Sequence, residues 1–113
     1  MREERPWGSY EVLYDGVVCK VKKIVVKPGQ SLSYQYHNKR SEHWTIVAGE
    51  GKLRLDGEVK EVMAGTSVFI PTTSKHSILN SSTDDLIFIE VQTGTYFGED
   101  DIVRLEDMYG RVK

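Results

Sequence analysis

A chain of 113 residues with 15 basic and 17 acidic side chains carries a formal net charge of -2. That length is one domain's worth, and folding buries about two-thirds of the unfolded chain's surface, enough for a core without staples. The balanced charge argues against nucleic acid or a membrane surface as the main partner, and the single cysteine, Cys19, excludes an internal disulfide and fits a reducing cytoplasm.

The opening "MREERPWGSY" lacks the apolar stretch of a signal peptide, and no run is long enough to span a bilayer. A soluble, cytoplasmic protein of one domain, residues 1–113, is expected. "YEVLY" leads into the turn Asp15-Gly16, and "VVCKVKKIVVK" follows as a strand closed by Pro28-Gly29. "SLSYQYH", the polar turn "NKRS" and "EHWTIVAG" come next. "KLRLDGEVKEV" reads as a hairpin, with Asp56-Gly57 supplying the positive φ angles of a two-residue turn. "TSVFIP", "KHSILN" and "DLIFIEVQ" complete the strands, and only the tail "GEDDIVRLEDMYG" has helical character. About nine short, closely spaced strands predict an all-β sandwich or small barrel.

Within "YQYH", Gln35 and His37 share one strand face because successive side chains alternate. The turn at Asn38–Ser41 folds the chain back, so the next strand can bring Glu42 beside them, and His76 is available downstream. Two imidazoles, a carboxylate and an amide oxygen suit one divalent transition metal: zinc, manganese, iron, cobalt or nickel. The same residues at a polar strand end also serve solvation alone, so this cluster by itself leaves both readings open.

The wider spacing narrows the choice. Gly29, five residues, Gln35, one residue, His37, four residues, Glu42, six residues, Gly49 resembles the first cupin motif, with Gln35 at its first histidine. Gly65, five residues, Pro71, four residues, His76, three residues, Asn80 resembles the second, with Thr73 where that motif usually has glycine. The resemblance implies a cupin double-stranded β-helix, a small jelly-roll barrel. Physically, Pro28-Gly29, Gly49 and Gly65 suit sharp turns or positive φ, and Pro71 begins a connection.

Nearly the whole chain is similar to a narrower group, the type II mannose-6-phosphate isomerases. In many members that cupin is the C-terminal part of a bifunctional mannose-1-phosphate guanylyltransferase. The resemblance rests on "RPWGSYEVL", "KKIVVKPGQSLSYQYH", "EHWTIVAGEG", "IPTTSKH" and "IEVQTGTYFGEDDIVRLEDMYGR". It implies a ligand set of Gln35, His37, Glu42 and His76, and interconversion of mannose 6-phosphate and fructose 6-phosphate, which feeds GDP-mannose and polysaccharide synthesis. Asn38 and Lys39 stand where the family often has further histidines. The Gly-rich phosphate loop of a nucleotidyltransferase is absent from this sequence, so GDP-mannose synthesis is not expected from this polypeptide alone.

Moving a proton between C1 and C2 needs a base, positive charge beside the developing oxyanion, and an anchor for the phosphate. Glu90 is the candidate base: in "IFIEVQ" it shares a face with Phe88 and Gln92, and burial among apolar groups would raise its pKa. On the opposite face it would simply pair with a lysine or with solvent. Arg104 is the first candidate for phosphate, followed by Lys75 and Arg40. His43, next to Glu42, points away from the metal. Trp7 and Tyr10 cover the barrel mouth or join the core. A homodimer is expected, with the tyrosine face of "SYQY" contributing. Two other functions compete. His37, Glu42 and His76 are also the two-histidine, one-carboxylate set of non-haem iron oxygenases, and a sugar-binding cupin could serve a separate nucleotidyltransferase without catalysis.

Overall fold

The computed structural model describes residues 2–106. Its strands are β1 (Arg2–Arg5), β2 (Gly8–Asp15), β3 (Cys19–Val26), β4 (Tyr34–Tyr36), β5 (Arg40–Ala48), β6 (Glu50–Leu55), β7 (Glu58–Met63), β8 (Ser67–Ile70), β9 (His76–Leu79), β10 (Leu86–Gly94) and β11 (Val103–Glu106). They form two antiparallel sheets, one in the order β1-β2-β3-β10-β5-β8 and the other in the order β11-β4-β9-β6-β7. There is no helix among the described residues, and so none long and apolar enough to cross a membrane. This is the jelly-roll arrangement expected of a cupin.

The core lies between the sheets. Alternation on β10 buries Leu86, Phe88, Glu90 and Gln92 on one face, and β5 buries Arg40, Glu42, Trp44 and Ile46 in the same phase. Half of each strand is therefore apolar and half polar. Trp44 stacks on Phe88 with ring centroids 4.4 Å apart, and Ile24, Val26, Leu53, Ile70, Ile78 and Leu86 complete the dry end. Removing a ring such as Phe88 would cost about 3–5 kcal/mol.

Turn chemistry fixes the register. Asp56 and Gly57 take φ of 47° and 88°, as a two-residue hairpin turn demands. Gly29, Gly49 and Gly65 lie at φ of 77°, 85° and 95°. At Gly49 a Cβ would also fall 2.5 Å from the Asp85 carbonyl oxygen. Thr73 holds φ of 71° without the glycine that would relieve it. Asn80 closes the second motif from a fully buried position, donating to the carbonyls of Val26 and Asp84 at 2.8 and 2.7 Å.

The charged "REER" segment, to which the sequence reading assigned no element, is a strand, β1, paired to β2 along a sheet edge where its charges discourage further pairing. Two expectations need correction. The tail is not helical where it is described: Val103–Glu106 pairs with β4, and the expected helix from residue 107 onward lies outside the described residues. Sheet pairing outweighed the local helical preference. The tyrosine face of β4 is largely covered, because Tyr34 is 9% exposed and lies under the Arg54 guanidinium, 3.8 Å from its ring centroid. Exposed apolar surface stands instead on the outer face of the six-stranded sheet, at Val47 and Phe69.

Candidate metal centre

Both sheets supply the site. Gln35 on β4 pairs in register with His76 on β9, and His37 follows β4 directly. Glu42 comes from β5 in the opposite sheet, in register with Gln92 of β10. His37, Glu42 and His76 are all buried, and each offers a ligand atom within 4.8 Å of the others. His43 takes the opposite phase of β5 and packs outside against Phe69, with centroids 4.5 Å apart.

The orientation of His76 fits a divalent ion, whereas at His37 the Arg40 guanidinium, which can only donate, already occupies Nε2. Glu42 Oε2 lies 3.6 Å from His37 Nδ1, and Oε1 lies 3.8 Å from His76 Nε2. His76 Nδ1 donates to the Ser74 carbonyl at 2.9 Å. That bond fixes the tautomer and turns the Nε2 lone pair inward. Nε2 is buried with no hydrogen-bond partner, a costly arrangement that a bound cation would resolve. Burial lowers the pKa of both histidines, and the Arg40 charge adds to the fall at His37, which drops to about 2. Both rings are therefore neutral, as ligation requires. The Gln35 side-chain oxygen accepts from the Ser33 hydroxyl at 2.7 Å, and Gln35 lines the adjoining cavity.

Two partners hydrogen-bond Glu42 in this dry setting. Trp44 Nε1 donates to Oε1 at 2.9 Å, and Arg40 Nε donates to Oε2 at 2.9 Å. Arg40 Nη2 also reaches His37 Nε2 at 2.9 Å. Arg40 thus sits on the metal-ligand cluster itself, whereas the sequence reading sought a phosphate anchor away from the metal.

A cavity of about 60 Å³ opens beside the cluster. Its walls include Gln35, Arg40, Glu42, Glu90 and Arg104, with Trp7 and Tyr10. Trp7 belongs to the core as well. Glu90 faces inward, accepts from the Gln92 amide and is 5% exposed. Burial, reinforced by the nearby Glu42 charge, pushes its pKa up to about 7. Of these two buried carboxylates, only Glu42 is hydrogen-bonded by a guanidinium and an indole. Arg104 on β11 stands in register with Gln35. Lys75 is not among the cavity walls. It is exposed beside the β6–β7 turn, where its backbone N–H donates to Asp56 at 2.8 Å.

Sequence reasoning missed Lys22 and Glu99, which also line the cavity. Lys22 had a signal, since it occupies the same strand phase as Ile24 and Val26. Glu99 had none, because it comes from the loop between β10 and β11.

The family model described as "Mannose-6-phosphate isomerase C-terminal" matches residues 1–107. Over 107 residues the chain is 50% identical to a mannose-1-phosphate guanylyltransferase of Salmonella montevideo, covering 95% of this chain and 23% of that protein. It is 48% identical over 107 residues to the alginate biosynthesis protein AlgA of Pseudomonas putida, covering 95% of this chain and 22% of that one. The chain spans less than a quarter of the length of these relatives. Among solved structures, the capsular polysaccharide assembling protein CapF of Staphylococcus aureus superposes with a TM-score of 0.79 at 23% identity, covering 94% of this chain and 32% of that one. A Klebsiella pneumoniae protein with a double-stranded β-helix domain gives 0.75 at 23% identity, covering 85% of this chain and 77% of that one. These two likenesses carry the cupin fold alone.

Proposed function

The chain belongs to the mannose-6-phosphate isomerase C-terminal family, and on that premise we propose that it interconverts mannose 6-phosphate and fructose 6-phosphate. The observation that carries this reading is Glu90, a buried carboxylate with a pKa near 7 in the same cavity as a His–Glu–His cluster. His37, Glu42 and His76 would hold one divalent metal, with Gln35 as a fourth ligand. When bound, the metal supplies Lewis-acid charge beside the oxygen that becomes negative during enolisation.

The chain's own residues do the rest. Glu90 takes the C2 proton of the aldose and returns it to C1, and the Gln92 amide holds the carboxylate in place. Arg104 binds the phosphate, for which a guanidinium fork is well suited. Trp7, Ile24 and Leu32 keep part of the cavity wall apolar and limit water. A phosphorylated substrate that does not cross membranes accords with a cytoplasmic setting, and the exposed Val47–Phe69 face offers a surface for a homodimer.

A second reading has its own support. The curated relatives are guanylyltransferases about four times as long as the matched region, so the cupin could bind sugar phosphate and serve a separate nucleotidyltransferase. The oxygenase reading uses His37, Glu42 and His76 equally well but gives Glu90 and Arg104 no task. The deciding experiment is turnover of mannose 6-phosphate by metal-loaded protein in heavy water. Isomerisation with deuterium entering the product at the transferred position supports the proposal. Absence of turnover with any hexose phosphate, alone or with a nucleotidyltransferase, leaves the binding cupin.

A further inference from the structure

Lys22 is a charged side chain in an apolar register. On β3 it shares the inward phase with Ile24 and Val26, and only 3% of the residue is exposed. Its Nζ lies 4.3 Å from the Tyr10 ring centroid. Its carboxylate partner does not come from either sheet. Glu99, on the loop between β10 and β11, places Oε2 2.7 Å from Lys22 Nζ, and the Glu99 side chain remains 48% exposed.

The same Glu99 oxygen lies 3.6 Å from Arg40 Nη1, a buried atom that has no hydrogen bond. One loop carboxylate therefore caps two buried cations and satisfies only one of them. The loop is pinned beyond it, because Asp101 accepts from the backbone N–H groups of Asn38 and Lys39 at 3.1 and 2.9 Å. Lys22, Arg40 and Glu99 all line the cavity beside the metal-ligand cluster.

We propose that Lys22 and Arg40 Nη1 form an anion subsite, and that the Glu99 carboxylate is a place-holder which an incoming phosphate monoester displaces. Identification of that anion as the phosphate of a sugar rests on the isomerase reading. The anion subsite itself does not. A phosphate brings more acceptor oxygens than the carboxylate's two, so it can engage both Lys22 and Arg40 Nη1, which one Glu99 oxygen already approaches at 2.7 and 3.6 Å. Lys22, absent from the sequence candidates, and Arg40, already one of them, thus join Arg104 in recognising substrate.

Inorganic phosphate titrated into the full chain by calorimetry, metal-free and metal-loaded, tests this. If the uncapped state is a tenth of the population, Glu99→Gln should tighten phosphate binding about tenfold. Glu106→Gln removes the same charge outside the cavity, from a pair with Arg54, and should leave affinity unchanged. Lys22→Met should weaken binding at least as much as Glu99→Gln strengthens it. Should Lys22→Met fail to fold, Glu99→Gln alone decides, since that side chain is half exposed on a loop. Equal phosphate affinity in wild type and Glu99→Gln, or equal tightening in Glu106→Gln, overturns the subsite. Tighter phosphate binding in Glu99→Gln without turnover of any hexose phosphate would uphold the subsite and remove the isomerase reading instead.

Discussion

Arg40 reaches a single oxygen of Glu42, Oε2, with two nitrogens, Nε and Nη2, each at 2.9 Å, and both residues are at most 5% exposed. The guanidinium supplies, in the metal-free protein, the positive charge that a divalent ion would bring to the same carboxylate.

Arg40→Met should therefore destabilise the metal-free protein by about 3–5 kcal/mol, the cost of leaving one buried charge without its partner. Added zinc or manganese should recover more melting temperature in the variant than in wild type, because the ion takes over the lost neutralisation. Thermal unfolding with and without metal measures the difference. Equal shifts in the two proteins would show that Arg40 and the ion do not share a role.

Metal content should follow the inward faces. His37→Ala and His76→Ala should each lose most of the bound metal in elemental analysis. His43→Ala, on the outer face against Phe69, should keep it. Similar loss in all three would contradict the proposed ligand set.

Glu90 makes a signed prediction about pH. Its carboxyl is raised from 4.5 to about 7, so within that window the folded state keeps a proton that the unfolded chain has lost. Stability then falls as pH rises through the window, and above it the ionised group costs on the order of 3 kcal/mol. In metal-free protein, Glu90→Gln should gain more stability at about pH 8 than at about pH 5, since an amide does not titrate. Catalysis has the opposite slope, because only the carboxylate accepts a proton. The rate should drop on the acid side, and a bound cation should move that limb below 7 by favouring the charged form. Glu90→Gln should bind metal and lose turnover. An active Glu90→Gln would assign the base elsewhere.

Arg104→Ala should raise KM for mannose 6-phosphate by the equivalent of about 1.5–3 kcal/mol, the worth of a charge-assisted hydrogen-bonded contact. An unphosphorylated sugar should be used no worse than by wild type. Lys75→Ala, outside the cavity, should change neither. Steady-state kinetics on the two variants separate an anchor from a surface charge.

Thr73 should be improvable. A β-branched residue at φ of 71° is strained, and its backbone N–H still donates to the His37 carbonyl at 2.8 Å. Thr73→Gly should raise stability by about 1 kcal/mol, the strain relieved less the extra freedom of glycine in the unfolded chain. Denaturant unfolding measures it, and metal content should not change. A loss of stability would mean that Thr73 makes contacts worth more than its strain.

The legible part of this molecule was whatever depends on periodicity and turn chemistry. Alternation in "YQYH" and "EHWTI" put Gln35 with His37 and turned His43 away from Glu42. The glycines at 29, 49 and 65 marked positive φ. What alternation cannot say is which face of a strand is inside, so Glu90 stayed balanced between a buried base and a surface carboxylate until its neighbours on β3 and β5 were known. Charge hid two features. The "REER" edge gave no strand signal because edge strands use charge to resist pairing, and Lys22 was not singled out because its partner Glu99 lies 77 positions away on a loop. Arg40 was sought as a phosphate ligand, and its grip on Glu42 and His37 came only from the turn that precedes β5.

The inward face of β10 runs Leu86, Phe88, Glu90, Gln92, apolar at one end and polar at the other. The first pair belongs to the packing that makes the barrel stand, and the second to the chemistry proposed for it. Mutation can therefore explore one without gambling on the other. Changes at positions 90 and 92 alter reactivity while the Trp44–Phe88 stack holds β5 against β10 within their sheet. A lineage carrying such a divided strand can acquire new substrates by small steps, each of them still folded.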